Sequence, residues 1–197
     1  MPTFSRRTKI IAAFIILVVA GYGVAIFWQS ENKVPANFTA ARQQGAIIAQ
    51  TIVNNSNQST DELSAINKYD QEGDYTDALA STTALINQSA GLRTEAVQLA
   101  AQVQQMSTEI PSIQSTDAQQ AAIQSMTNRL ALINELITYS NDLDHLLAVL
   151  QSRFSGTPQS NDEVANIVSQ INADVNLINN FNAQAGQAMD KFDSIEK

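Results

Sequence analysis

LINQSAGLRTEAVQLAAQVQQMSTEI, residues 85–110, decides the fold. Within it Leu85, Ser89, Leu92, Ala96, Leu99, Val103, Met106 and Ile110 follow one another at intervals that alternate between four and three. Side chains return to one face of an α-helix about every 3.6 residues, so this row is one seam that must lie against a partner helix. The same spacing continues on both sides of it. Toward the carboxyl end, Val164, Ile167, Ile171, Val175, Ile178, Phe181, Ala185, Met189 and Phe192 form a longer stripe. Between the two, Ile123, Met126, Leu130, Ile133 and Ile137 make one row, and Leu132, Leu136, Tyr139, Leu143, Leu146 and Leu150 make a second. Two rows give an apolar arc wide enough to meet two neighbours, and residues 130 to 150 are the surface to test for a partner, with Leu136 and Leu143 either core or interface. Toward the amino end, Phe38, Ala41, Gly45, Ile48 and Ile52 keep the same rhythm.

Capping signals divide this helical chain. Ser59 precedes Glu62, Thr116 precedes Gln119 and Ser160 precedes Glu163, each by three residues. In such a box the hydroxyl accepts the third amide of a new helix while the Glu or Gln reaches back to the cap. Gly73, Pro111 and the pair Gly156 and Pro158 supply the stops. Segments 75–110, 116–154 and 160–195 would each run about 54–58 Å at about 1.5 Å per residue. Segment 36–72 is similar, with a break expected around Asn54-Asn55-Ser56-Asn57. No strand-like alternation with hairpin turns interrupts them. The expected fold is all-α: an N-terminal transmembrane helix, then an antiparallel up-and-down bundle of three to four long helices. In the three-helix version, residues 36–56 continue the anchor as a stalk, against which Pro35 signals a break.

Around Gly73, the stretch from Ile66 to Leu79 resembles the inter-helix turn of a tetratricopeptide repeat through Tyr69, Gly73, Tyr75, Ala78 and Leu79. Glycine permits the tight turn, the tyrosine packs across it and the small alanine lets two helices approach. Ile66, Thr82 and Ala90 depart from that pattern, and no second copy follows at a period of about 34. What the resemblance implies here is one helical hairpin, without peptide-binding residues.

Ahead of the bundle, residues 10–28 carry no charge, and Arg6, Arg7 and Lys9 stand directly before them. A run of that length matches a hydrocarbon core about 30 Å thick. Basic residues on the amino side place that end in the cytoplasm by the positive-inside rule. The expected organisation is a cytoplasmic tail at 1–9, a signal-anchor helix at 10–29, a linker at 30–35 and an extracytoplasmic bundle at 36–197. Gly23-Val24-Ala25 offers a weak cleavage site, but the apolar run continues past it to Trp28, at the level of an interfacial aromatic. The expected location is therefore the cell membrane, single-pass, with the amino terminus inside.

Charge narrows the partners. Beyond the anchor stand eight Lys and Arg against nineteen Asp and Glu, a formal balance of −11. Nucleic acid and anionic lipid surfaces need clustered bases, so no nucleic-acid partner is expected. Without cysteine the bundle must hold by its core. His145 is the single histidine, which rules out any site built on two within one chain. Asp142, three residues before it, and Glu135 beyond could present a ligand trio, but a solvated helix face makes the same spacing. No catalytic, cofactor-binding or metal residue is assigned, no cofactor is expected and no enzyme is read. Amides are abundant, and Ser89 and Asn182 are the positions where a polar group inside the seam could fix register. The expected function is a structural or protein-interaction module, with a protein partner or self-association and no small-molecule substrate. The alternative is a ligand-binding, sensor-like bundle working with a partner subunit.

Overall fold

The computed structural model describes residues 34–157 and 160–196. Among them the chain is all-helical, with four α-helices and no strand: α1 (Ala36–Glu72), α2 (Tyr75–Glu109), α3 (Thr116–Phe154) and α4 (Asn161–Ile195). Each helix packs along the next in sequence, and the short turns between them make neighbours antiparallel. The signal-anchor reading at 10–29 lies outside the described residues. No described helix is long and apolar enough to cross a membrane.

Residues 85–110 behave as their spacing requires. Leu85, Ser89, Leu92, Ala96, Leu99, Val103 and Met106 are all buried, and the row extends back through Thr82 to Ala78. Facing it on α1, Phe38, Ala41, Gly45, Ile48, Ile52, Ser56, Ser59, Leu63 and Ile66 form an unbroken counterpart. Small residues recur in both rows and let the two backbones approach closely. The expected break at Asn54–Asn57 is absent. Ile52, Ser56, Ser59 and Leu63 hold the seam rhythm through it, Asn55 bonds outward to Glu95, and Ser59 donates back to the Asn55 carbonyl at 2.9 Å. The Ser59/Glu62 box therefore sits inside a helix rather than starting one, because a hydroxyl that bonds its own preceding turn is compatible with helix.

The hairpin expected at Gly73 is present. Gly73 closes α1 in the left-handed region at φ 78°, with the amides of Gly73 and Asp74 bonded to the carbonyls of Asp70 and Tyr69. Asp74 caps α2 by accepting from the Asp77 amide. Each helix of this hairpin is about as long as a whole tetratricopeptide repeat, so the likeness ends at the turn. At the next corner, α2 gives way to a 3-10 turn over Ile110–Ser112 that contains Pro111. α3 is capped by Ser115, one residue earlier than expected, with its hydroxyl accepting from Ala118 N. Gln119 bonds the Ile113 carbonyl instead of closing a box. Gly156, at φ 90°, ends the third segment, and Ser160 caps α4 as expected.

α3 decides the largest question left open by the sequence. Leu132, Leu136, Tyr139, Leu143 and Leu146 are buried, so of the two readings of the wide arc, core or partner surface, these residues take the first. The seam of α3 runs through Ala118, Ala122, Ser125, Arg129, Leu132, Leu136, Tyr139, Leu143, Leu146 and Leu150, again at fours and threes. Met126 and Ile133 are buried beside it, while Ile123 and Leu130 are each 51% exposed. A helix that meets α2 on one side and α4 on the other buries both flanks of its seam and leaves the outermost row to solvent. At one end of the bundle Phe38 stacks on Phe192, ring centroids 5.3 Å apart, and at the other Tyr75 stacks on Phe154 at 6.1 Å.

Candidate functional site

Polar groups enter the seams at a few places, and these are where chemistry could reside. Between α1 and α2, Asn55 donates to Glu95 at 2.7 Å. Between α2 and α3, the buried Ser89 donates to Asp144 at 2.5 Å, and Arg93 bonds both Asn141 and Asp144. Ser89, one of the two polar seam positions read as able to fix register, thus has an acceptor across the interface, while its hydroxyl also lies 2.9 Å from the Ile86 carbonyl of its own helix. Asn182, the other position proposed for such a role, is half-buried on α4.

Between α3 and α4 lies the densest group. Asp174 is only 7% exposed, its side chain hydrogen-bonds that of Asp142, and Glu135 stands near enough for its charge to act. Burial pushes the Asp174 carboxyl up to about 6, and the charges of Asp142 and Glu135 push the same way. Two carboxylates share a hydrogen bond only while one holds a proton, so this pair keeps one up to about pH 6. The Tyr139 hydroxyl is buried without a partner, and burial, then the Asp174 charge, raises its pKa. Asp174 went unnoticed in the sequence because the stripe was traced through Val175; its spacing of three from Ile171 and four from Ile178 was the available signal.

The trio Asp142, Glu135 and His145 does not assemble. Asp142 and Glu135 turn toward Asp174, while His145 sits on the exposed side, 3.9 Å from Glu163 of α4. Among the described residues no group of three or more His, Cys, Asp or Glu side chains could hold a metal ion.

Near the Gly73 end, Leu63, Ile66, Leu146, Leu150 and Val164 line a cavity of about 30 Å³ between α1, α3 and α4. Asp70 and Arg153 close its rim through a 3.2 Å ion pair. Burial raises the Asp70 pKa against the lowering pull of Arg153. Such a void holds about one or two waters, whereas small-molecule sites occupy about 300–1,000 Å³. Comparison of the chain with protein-family models, with curated proteins and with solved structures returns no match, so the function is read from these residues alone.

Proposed function

We propose that this chain is a membrane-anchored, extracytoplasmic helical bundle that serves as a structural or protein-interaction module. The observation that carries the reading is how the four helices use their apolar rows. Among the described residues the rows close on one another and the cavity between α1, α3 and α4 is water-sized, which supports a role for the bundle's surface. The anchor itself rests on sequence, through the uncharged run 10–28 and the bases before it. On α3 the outward row is the place to examine: Ile123 and Leu130 lie one heptad apart and open to solvent, where a helix of a partner protein would find a matching row.

The test uses the full chain in a nonionic detergent, with association followed by cross-linking and by light scattering. Replacing both Ile123 and Leu130 by Lys should leave the melting temperature unchanged and remove association. Association that survives the double replacement would move the interaction elsewhere on the surface. Topology is checked separately: a tag at the amino terminus should be shielded in intact cells and one at the carboxyl terminus exposed.

A further inference from the structure

Two bonds fix the register of α2 against α3. Arg93 of α2 bonds Asn141 and Asp144 of α3, and Ser89, one turn earlier, donates to Asp144 at 2.5 Å. Side chains three or four residues apart share a helix face. One turn along from the Arg93–Asn141 bond, Val97 therefore stands opposite Ile137, and one heptad further Gln104 stands opposite Leu130. The strip continues on α3 through Thr127 to Ile123. Val97 is 58% exposed, Ile123 and Leu130 are similarly open, and Ile137 is half-buried against the core.

Charge singles this strip out. Residues 96–108 of α2 carry no charged side chain, and residues 118–134 of α3 carry only Arg129, which lies in the seam. Two bundles that each carry a formal charge of −11 repel one another, and this face is where they can meet without opposing like charges. The end of the strip is self-complementary. Arg93 and Asp144 stand at one height on neighbouring helices, and both keep much of their side chains open to solvent. A two-fold axis along the bundle sets α2 of one copy against α3 of the other. Each Arg93 then lies over the Asp144 of the second copy, and each Val97 over its Ile137.

We propose that the α2–α3 face pairs two membrane-anchored copies of this chain about a two-fold axis. The proposal rests on the anchored-module reading above and names the partner as a second copy. Anchors in one membrane give every copy the same direction and height, as such an axis requires. From Arg93 to Thr108 the strip is about 22 Å long at about 1.5 Å per residue, and two helices make it about 20 Å wide. It would bury about 900 Å² in all, against about 1,200–2,000 Å² for complexes stable in free solution. Confinement to one membrane offsets the shortfall by raising the effective concentration.

The test uses the full chain in native membranes, where the absence of cysteine leaves introduced thiols as the only ones on the chain. A V97C chain and an I137C chain with tags of different size are produced together and oxidised with copper phenanthroline. Ile47, exposed on α1 at nearly the same height, supplies the control as I47C. V97C with I137C should give at least about fivefold more disulfide-linked dimer than I47C with I137C. L130K added to both chains should cut that dimer by about tenfold, since it sets a cation into the contact on each copy. The proposal is overturned if V97C with I137C gives no more than the control, or if L130K leaves the yield unchanged. If the chain still resists alkaline extraction in that case, the anchored-module reading stands and only pairing with a second copy is lost. A chain that alkali strips from the membrane overturns the anchored reading, and the proposal with it.

Discussion

Asp174 is the residue whose behaviour separates this bundle from a generic one. Its folded carboxyl titrates near 6, against about 3.9 for an exposed aspartate in an unfolded chain. Between those values the folded state holds a proton that the unfolded state has lost. Stability from this group is therefore fully present below about pH 4 and lost as the pH rises through 6. At pH 7.5 the deprotonated pair is a penalty of up to about 3 kcal/mol, taking about 1.4 kcal/mol for each pKa unit. D174N should relieve much of it, because an amide can donate to Asp142 as the protonated acid does. Urea midpoints measured from pH 5 to 7.5 should fall for the native chain by more than for D174N. Identical slopes would mean the pair carries no shared proton. Neither Asp174 nor Arg129 stood out in the sequence, since a charged residue inside a seam reads as a gap in the apolar row. Leu143, by contrast, was legible as apolar, but periodicity left open whether it lay in the core or at an interface. It is fully buried, and Leu143→Ala should cost about 2–5 kcal/mol.

At the scale of elements, glycine separates turn from helix. Gly73 occupies the left-handed region and Gly91 lies within α2 with open space where a Cβ would go. Gly73→Ala should destabilise by about 1 kcal/mol, while Gly91→Ala should stabilise by about as much, because alanine gains in a helix what it loses at a positive φ. The cap of α3 offers a finer discrimination: Ser115→Ala should cost about 1 kcal/mol and Thr116→Ala much less, as only Ser115 accepts an amide there. Both series are read from thermal melts of single variants. Helix lengths were legible because fours and threes recur through helices of 35 residues or more, whereas three and four helices stayed open because residues 36–56 could equally be read as a stalk. The break expected at Asn54–Asn57 was not real, since propensity for turns yields to a seam that continues through it. The Thr116 box was off by one residue because Ser115 and Thr116 carry the same hydroxyl chemistry, and only the backbone conformation decides which of them caps.

Across the whole molecule, closure of the bundle decides what the surface is for. Periodicity shows that each helix must be covered, but it does not say whether the cover comes from the same chain. For the described residues the cover is internal: α2 and α3 sit centrally in the packing order, and Phe38 on α1 reaches Phe192 on α4. The wide arc of α3 could be read as core or interface in one dimension, and two helices of the same chain claim it. Leu143→Asp should abolish folding, whereas Leu130→Lys should change stability by no more than about 0.5 kcal/mol. The direct test is the solution mass of residues 34–197 by light scattering, with helicity followed on heating and on dilution. Helicity and a single cooperative melt that do not change with concentration, whether or not bundles associate through Ile123 and Leu130, are the predicted result. A dimer or larger species that loses helicity on dilution would contradict it, because the seams would then be closed between chains.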